Sequence, residues 1–85
     1  MTISTVTLYT MNHCPFCERA KALLKQKGVG FQEVKLAEED DAGWDELFAK
    51  SGLKTMPQIF HGDTLIGGFT DLAALDVKDG LTSLK

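Results

Sequence analysis

Hydrophobic and polar residues alternate in two early segments of the chain, residues 3–9 and residues 31–36. The first segment is rich in β-branched side chains and sets Val6 and Leu8 against threonines, while the second alternates Val34 and Leu36 with polar neighbours. An alternation with a period of two predicts two β-strands.

The segment between these strands has a helical period instead. Cys17, Ala20 and Leu24 recur at spacings of three and four residues, which predicts an amphipathic helix over residues 14–27. Pro15 suits the first turn of a helix, and Gly28 suits the position just after its end. A strand, a helix and a second strand predict a right-handed parallel βαβ unit.

The second half of the chain predicts two further helices and a hairpin. An acidic run over residues 38–41 precedes a predicted helix over residues 44–51, whose Trp44, Leu47 and Phe48 we expect in the core. Two short strands, residues 58–61 and 64–67, are joined by a tight turn, and a last helix over residues 70–76 precedes a short helical tail. The order predicts an α/β, thioredoxin-like fold (βαβαββα) with one mixed four-stranded sheet and helices on both faces.

Composition narrows the class of protein. The chain has 85 residues, 44% of them hydrophobic and 25% charged, and a net charge of -3. These values predict one domain over residues 1–85, and the acidic balance argues against a nucleic-acid partner. We assign the four basic residues of the first helix, including Lys21, to a solvated face. No segment predicts a membrane span or a targeting signal, so we expect a cytoplasmic protein.

The only two cysteines, Cys14 and Cys17, stand three residues apart. A disulfide across so short a loop adds little stability, so chemistry explains the pair better than architecture. Zinc would need two more ligands, and only His13 and His61 are available as nitrogen ligands, so no metal site is predicted. The start of a helix stabilises a thiolate, which predicts an exposed Cys14 as nucleophile and a recessed Cys17 that resolves the mixed disulfide.

Two neighbours of the cysteines keep alternative interpretations. Phe16 is either an exposed aromatic contact for substrate or a partly packed loop residue. His13 is either a loop residue with no role or, as an imidazolium, a stabiliser of the thiolate.

Longer segments extend the pattern well beyond the thiol motif. They are Leu-Tyr-Thr at residues 8–10, CPFCERAKALL at 14–24, Ser-Gly at 51–52, TMPQIF at 55–60 and IGGFTDL at 66–72. In this order and over almost the whole chain, they resemble glutaredoxins of the dithiol type found in bacteria and phages.

The resemblance implies reduction of protein disulfides and of glutathione mixed disulfides, with glutathione as co-substrate and no tightly bound cofactor. It implies a cis peptide bond between Met56 and Pro57, although a trans proline at the start of a strand is also allowed. It assigns the binding of glutathione to the following residues: Phe16, Lys54, Thr55, Met56, Pro57, Gly68, Phe69, Thr70 and Asp71. Thr70 as a helix N-cap and Asp71 as a first-turn acid are structural alternatives that are compatible with binding.

Two positions depart from the family pattern. Met11 stands where many members have a lysine, and Leu53 stands where some have an arginine, both of which address the glycine carboxylate of glutathione. Lys54 or Gln58 can substitute by position. We therefore expect a weaker affinity for glutathione than in relatives that carry the lysine.

Two other functions remain open beside a glutathione-dependent reductase. One is an electron donor to ribonucleotide reductase that is itself reduced by thioredoxin reductase. The other is a homodimer that binds an iron–sulfur cluster on Cys14 and two glutathiones, which the proline after the nucleophile disfavours. The expected protein is a monomer whose partners are glutathione and proteins with disulfides or bound glutathione.

Overall fold

The computed structural model describes residues 6–53 and 55–84. Four strands and three α-helices follow one another in the predicted order, and a short 3₁₀ helix ends the described chain. They are β1 (Val6–Met11), α1 (Pro15–Gln26), β2 (Phe31–Leu36), α2 (Asp41–Ser51), β3 (Gln58–His61), β4 (Thr64–Gly67), α3 (Phe69–Asp79) and the 3₁₀ helix (Thr82–Leu84). Residues 3–5 of the predicted first strand lie outside the described residues.

The strands form one mixed sheet in the order β2-β1-β3-β4. β1 runs parallel to β2 and antiparallel to β3, and β3 forms an antiparallel hairpin with β4. The predicted fold class is therefore confirmed. β1 is paired on both sides, so the loop that follows its carboxyl end starts from an interior strand of the sheet.

Helices cover both faces of this sheet, each over a separate hydrophobic cluster. The larger cluster lies between the sheet and α1 and α3, and it includes Val6, Leu8, Leu24, Ile59 and Leu72. The smaller cluster lies under α2, where Trp44 packs against Leu36, Leu47 and Phe60. No helix within the described ranges is long and apolar enough to span a membrane.

Two helices begin earlier than predicted, and both differences come from side chains that cap backbone N–H groups. The carboxylate of Asp40 accepts from the Gly43 N–H at 3.1 Å, so α2 begins at Asp41 rather than Trp44. The N-cap of α3 is Gly68, so the alternative of Thr70 as N-cap is wrong, while Asp71 does lie in the first turn.

Phe48 corrects the predicted core. Trp44 is half-buried and Leu47 is buried against the sheet, but Phe48 is 41% exposed. The reason is helical geometry, because consecutive residues point about 100° apart. When Leu47 faces the sheet, Phe48 is turned towards the side of the helix.

Candidate functional site

The thiol pair lies where the central strand ends and the first helix begins. Asn12 and His13 turn the chain after β1, and His13 takes a left-handed backbone conformation with φ of 58°. Cys14 is the N-cap of α1, and Pro15 occupies the first turn as predicted. The helix start therefore presents its unpaired N–H groups towards the Cys14 sulfur.

A disulfide joins Cys14 to Cys17, whose Cα atoms are 5.2 Å apart. The Cys17 N–H also donates to the Cys14 Sγ at 3.2 Å. Such a donor favours negative charge on the sulfur once the disulfide is reduced. Cys14 is the more accessible residue of the pair, although it is only 9% exposed in the disulfide form, against 1% for Cys17.

Beside the pair lies a groove of about 280 Å³ that we call the proline-side groove. It is lined by Phe16, Leu53, Thr55, Met56, Pro57, Gly68, Phe69, Thr70 and Asp71. The structure thus gathers the residues that the sequence assigned to substrate, except Lys54, which lies outside the described residues. The peptide bond between Met56 and Pro57 is cis, as expected.

Gln58 holds one wall of this groove in place. Its side chain is fully buried, and its amide nitrogen donates to the carbonyl oxygens of Leu53 at 2.8 Å and of Thr55 at 3.0 Å. The Ser51 hydroxyl also accepts from the Leu53 N–H at 3.0 Å. The expectation that Gln58 can bind a carboxylate of the ligand is therefore wrong, because its donors are already engaged inside the protein.

The opposite wall is the start of α3. The Asp71 carboxylate accepts from the Gly68 N–H at 3.0 Å, which closes the first turn upon itself. Gly67 precedes this turn with φ of 126°, and a Cβ atom there would overlap the Asp71 carboxylate. Only glycine accommodates both the positive φ and the close approach of Asp71, so Gly67 fixes the direction of the chain at the start of α3.

Two aromatic rings meet across the groove. The ring centroids of Phe16 on α1 and Phe69 on α3 are 6.0 Å apart, with an angle of 35° between the planes. The Arg19 guanidinium lies 5.2 Å from the centroid of the Phe16 ring. Phe16 remains 51% exposed, which favours the first of its two interpretations, an exposed aromatic contact.

Comparison with known proteins agrees with this geometry. The family model "Glutaredoxin" matches residues 6–66. Glutaredoxin 3 of Escherichia coli K12 is 46% identical over 82 residues, which cover 96% of this chain and 98% of the relative. The chain belongs to the glutaredoxin family. It therefore belongs to a family of thiol–disulfide oxidoreductases and carries their Cys-x-x-Cys pair.

Solved glutaredoxins share the fold. The solution structure from Brucella melitensis is 44% identical, with a TM-score of 0.79, and the match covers 94% of this chain and 86% of that one. The buckwheat protein, solved as a glutaredoxin–glutathione complex, is 24% identical with a TM-score of 0.82. That match covers 95% of this chain and 76% of the buckwheat chain and bears on the fold alone.

A second groove of this glutaredoxin, of about 570 Å³, includes Cys14 among its lining residues. We call it the strand-side groove, and it is lined by Met11, Asn12, His13, Cys14, Pro15, Glu18, Lys21 and Lys35. His13 is exposed there, and both of its interpretations stay predictions. Within the described part of the chain, no cluster of three or more His, Cys, Asp or Glu residues is arranged to hold a metal ion.

A hydrogen-bonded network borders the strand-side groove. The Lys21 ammonium lies 2.6 Å from the Glu18 carboxylate and 3.2 Å from that of Glu33, and the buried Thr10 hydroxyl donates to Glu33 at 2.7 Å. The contact with Glu18 is the main cause that raises the pKa of Lys21. The hydrogen bond from Thr10 is the main cause that lowers the pKa of Glu33.

The sequence alone did not predict this network. Lys21 was predicted on a solvated helix face, whereas its side chain is only 20% exposed. The spacing of Glu18 and Lys21 was a visible signal for one contact. The contact with Glu33 joins α1 to β2 and depends on how the helix lies across the sheet.

Proposed function

We propose that this protein is a glutathione-dependent thiol–disulfide oxidoreductase that reduces protein disulfides and glutathione mixed disulfides. The observation that supports this most is the position of the Cys14–Cys17 pair at the start of α1, on either side of Phe16, which lines the proline-side groove. In this proposal the protein is a cytoplasmic monomer that uses glutathione as co-substrate and needs no tightly bound cofactor. A reducing compartment keeps such a pair available as thiols.

The reaction begins when the Cys14 thiolate attacks one sulfur of the substrate disulfide. A mixed disulfide forms, and the other substrate sulfur leaves as a thiolate that takes up a proton. Cys17 then attacks the Cys14 sulfur, which closes the protein disulfide and releases the second substrate thiol. Two glutathione molecules afterwards return the pair to dithiol and leave as glutathione disulfide. With a glutathione mixed disulfide, Cys14 alone suffices, because a second glutathione can attack the adduct.

The proline-side groove supplies groups that suit glutathione. The backbone at Met56, which lines the groove, can pair with the extended backbone of the tripeptide. The N–H groups at the start of α3 suit the γ-glutamyl carboxylate, and Asp71 suits the ammonium group.

A single adduct tests both the nucleophile and the reductant. Cys17→Ser treated with glutathione disulfide should gain the mass of one glutathionyl group, located on Cys14 by peptide mapping. The matched control is Cys14→Ser, which should gain none. An unmodified Cys17→Ser protein, or an adduct on another residue, contradicts the proposal.

The second candidate function is an electron donor reduced by thioredoxin reductase, with ribonucleotide reductase as its acceptor. The lack of a cation at two positions favours it, since Met11 in the strand-side groove stands where many relatives have a lysine and Leu53 in the proline-side groove stands where some have an arginine. Turnover coupled separately to glutathione reductase and to thioredoxin reductase distinguishes the two functions. Activity only with thioredoxin reductase would establish the second function in place of the first.

A further inference from the structure

Most of the proline-side groove is apolar. Phe16, Leu53, Met56, Pro57 and Phe69 come from three different parts of the chain, and they are five of its nine described lining residues. Such a surface gains more from an apolar side chain than from a charged one, because burial removes apolar area from water on both partners.

The charge of the groove points the same way. Asp71 is the only charged residue among its described lining residues, and its carboxylate also accepts from the Gly68 N–H. An acidic side chain of a substrate would therefore find a like charge and no cation from that described lining. The Lys54→Gln variant in the test below measures the contribution of the cation that is adjacent in sequence.

The aromatic pair is held in position before a substrate arrives. Phe16 contacts the ring of Phe69 on α3 and the guanidinium of Arg19 on its own helix, α1. A ring fixed by two neighbours loses little freedom when a ligand packs on it, which favours binding. Phe16 nevertheless keeps half of its surface exposed, so area remains for such a ligand.

We propose that this groove selects protein disulfides in which a large apolar residue flanks the attacked cysteine and packs against Phe16 and Phe69. The inference deepens the proposed function, since it rests on attack by Cys14, but it does not depend on glutathione as reductant. The Cys14 thiolate forms the mixed disulfide, Cys17 resolves it, and the substrate leaves as two thiols while the protein pair becomes a disulfide.

The test is a single turnover without glutathione. The probes are symmetric disulfides of the capped pentapeptide Gly-X-Cys-X-Gly, in which X is Leu, Ala or Glu. Reduced protein is mixed with each probe, quenched in acid and analysed by mass to obtain second-order rate constants. We expect the Leu probe to react about tenfold faster than the Ala probe and the Glu probe to be slowest.

Variants identify the surface that selects. Phe16→Ala changes an exposed side chain, so the fold should persist, and the ratio of Leu to Ala rates should fall towards one. Phe69→Ala should act in the same direction, and the ratio corrects for any general loss of activity. The matched control is Val77→Ala on the exposed side of α3, which should keep the ratio of the native protein.

Three results would overturn the inference. They are equal rates for the Leu and Ala probes, a ratio that survives both phenylalanine variants, and a Glu probe that reacts fastest but loses this advantage in Lys54→Gln. A failure of the glutathione adduct test leaves this measurement intact, because no glutathione is present. The two proposals can therefore fail separately.

Discussion

The two grooves beside Cys14 are built from opposite kinds of residues. The proline-side groove is apolar and has one charged residue among its described lining, whereas the strand-side groove contains Glu18, Lys21 and Lys35 and borders the Glu33 network. Beside the first, the Gln58 amide and the Asp71 carboxylate hold backbone groups in place. In the second, charged side chains bind one another. The comparison favours the proline-side groove for most of the proposed substrate contacts, while the charged side chains beside the strand-side groove join α1 to β2.

Removal of the Cys14 sulfur should have the largest effect. Cys14→Ser should lower turnover by roughly 10³-fold or more, because the remaining thiol, Cys17, is buried and out of reach of a substrate disulfide. Cys17→Ser is the matched control and should keep the reduction of glutathione mixed disulfides while losing that of protein disulfides. The glutathione reductase-coupled assay measures both. Substantial turnover by Cys14→Ser would contradict the role of this residue.

Substitution of Gln58, which holds one wall of the proline-side groove, should have the next largest effect. Gln58→Leu leaves the carbonyl oxygens of Leu53 and Thr55 without their donor, so we expect unfolding free energy to fall by about 1–3 kcal/mol. Denaturant unfolding followed by far-UV circular dichroism measures it. Gln32→Leu, the same substitution at an exposed strand position, should stay within about 0.5 kcal/mol of the native value. Equal losses in both variants would show that the buried amide has no special role.

A charge added to either groove shows where the glycine end of glutathione lies. Met11→Lys adds a cation to the strand-side groove, and Leu53→Arg adds one to the proline-side groove. An exposed ion pair contributes up to about 1 kcal/mol, so the variant whose cation reaches the carboxylate should lower KM for glutathione by up to about fivefold. We expect this for Met11→Lys, with kcat nearly unchanged.

Val77→Lys adds the same charge on the far part of α3 and serves as the control. Unchanged saturation by glutathione in Met11→Lys would disprove the expectation of a missing clamp at this position. A lower KM in Leu53→Arg alone would assign the glycine end to the proline-side groove.

The network beside the strand-side groove gives the smallest effect, and its pH dependence is specific. The folded pKa of Glu33 lies below its ordinary value of 4.5, so the carboxylate stabilises the fold above that pH and loses this contribution as pH falls through the folded pKa. Glu33→Gln should cost less than about 1 kcal/mol near neutral pH, because the pair is partly exposed.

At a pH below the folded pKa, the Glu33→Gln variant and the native protein should be equally stable. Unfolding at a series of pH values measures the difference, and Glu39→Gln in an exposed loop is the control. A difference that stays constant at acidic pH would show that it arises from something other than the ionised carboxylate. Lys21 adds no slope in this range, since its raised pKa keeps it charged.

The sequence was sufficient for the elements and for most of the proline-side groove. The strands Phe31–Leu36, Gln58–His61 and Thr64–Gly67 have the predicted bounds, because alternation and turn residues are local signals. The start of α2 was missed, since Gly43 weakens the helical pattern and the acidic run over residues 38–41 contains no hydrophobic residue.

Contacts between distant elements were not predictable in the same way. The Phe16–Phe69 pair requires the start of α1 to lie near the start of α3, and the contact between Lys21 and Glu33 requires the angle of a helix over two strands. Both depend on packing rather than on the spacing of residues in the chain.

The smaller cluster under α2 has a consequence for spectroscopy. The single tryptophan of the chain, Trp44, lies on α2, where its indole N–H donates to the Ala37 carbonyl at 3.0 Å and its ring packs on the face of the sheet opposite to α1. Its fluorescence therefore reports the docking of α2. Fluorescence and circular dichroism coincide only if α2 detaches together with the rest of the fold, so the comparison of the two signals tests the cooperativity of unfolding.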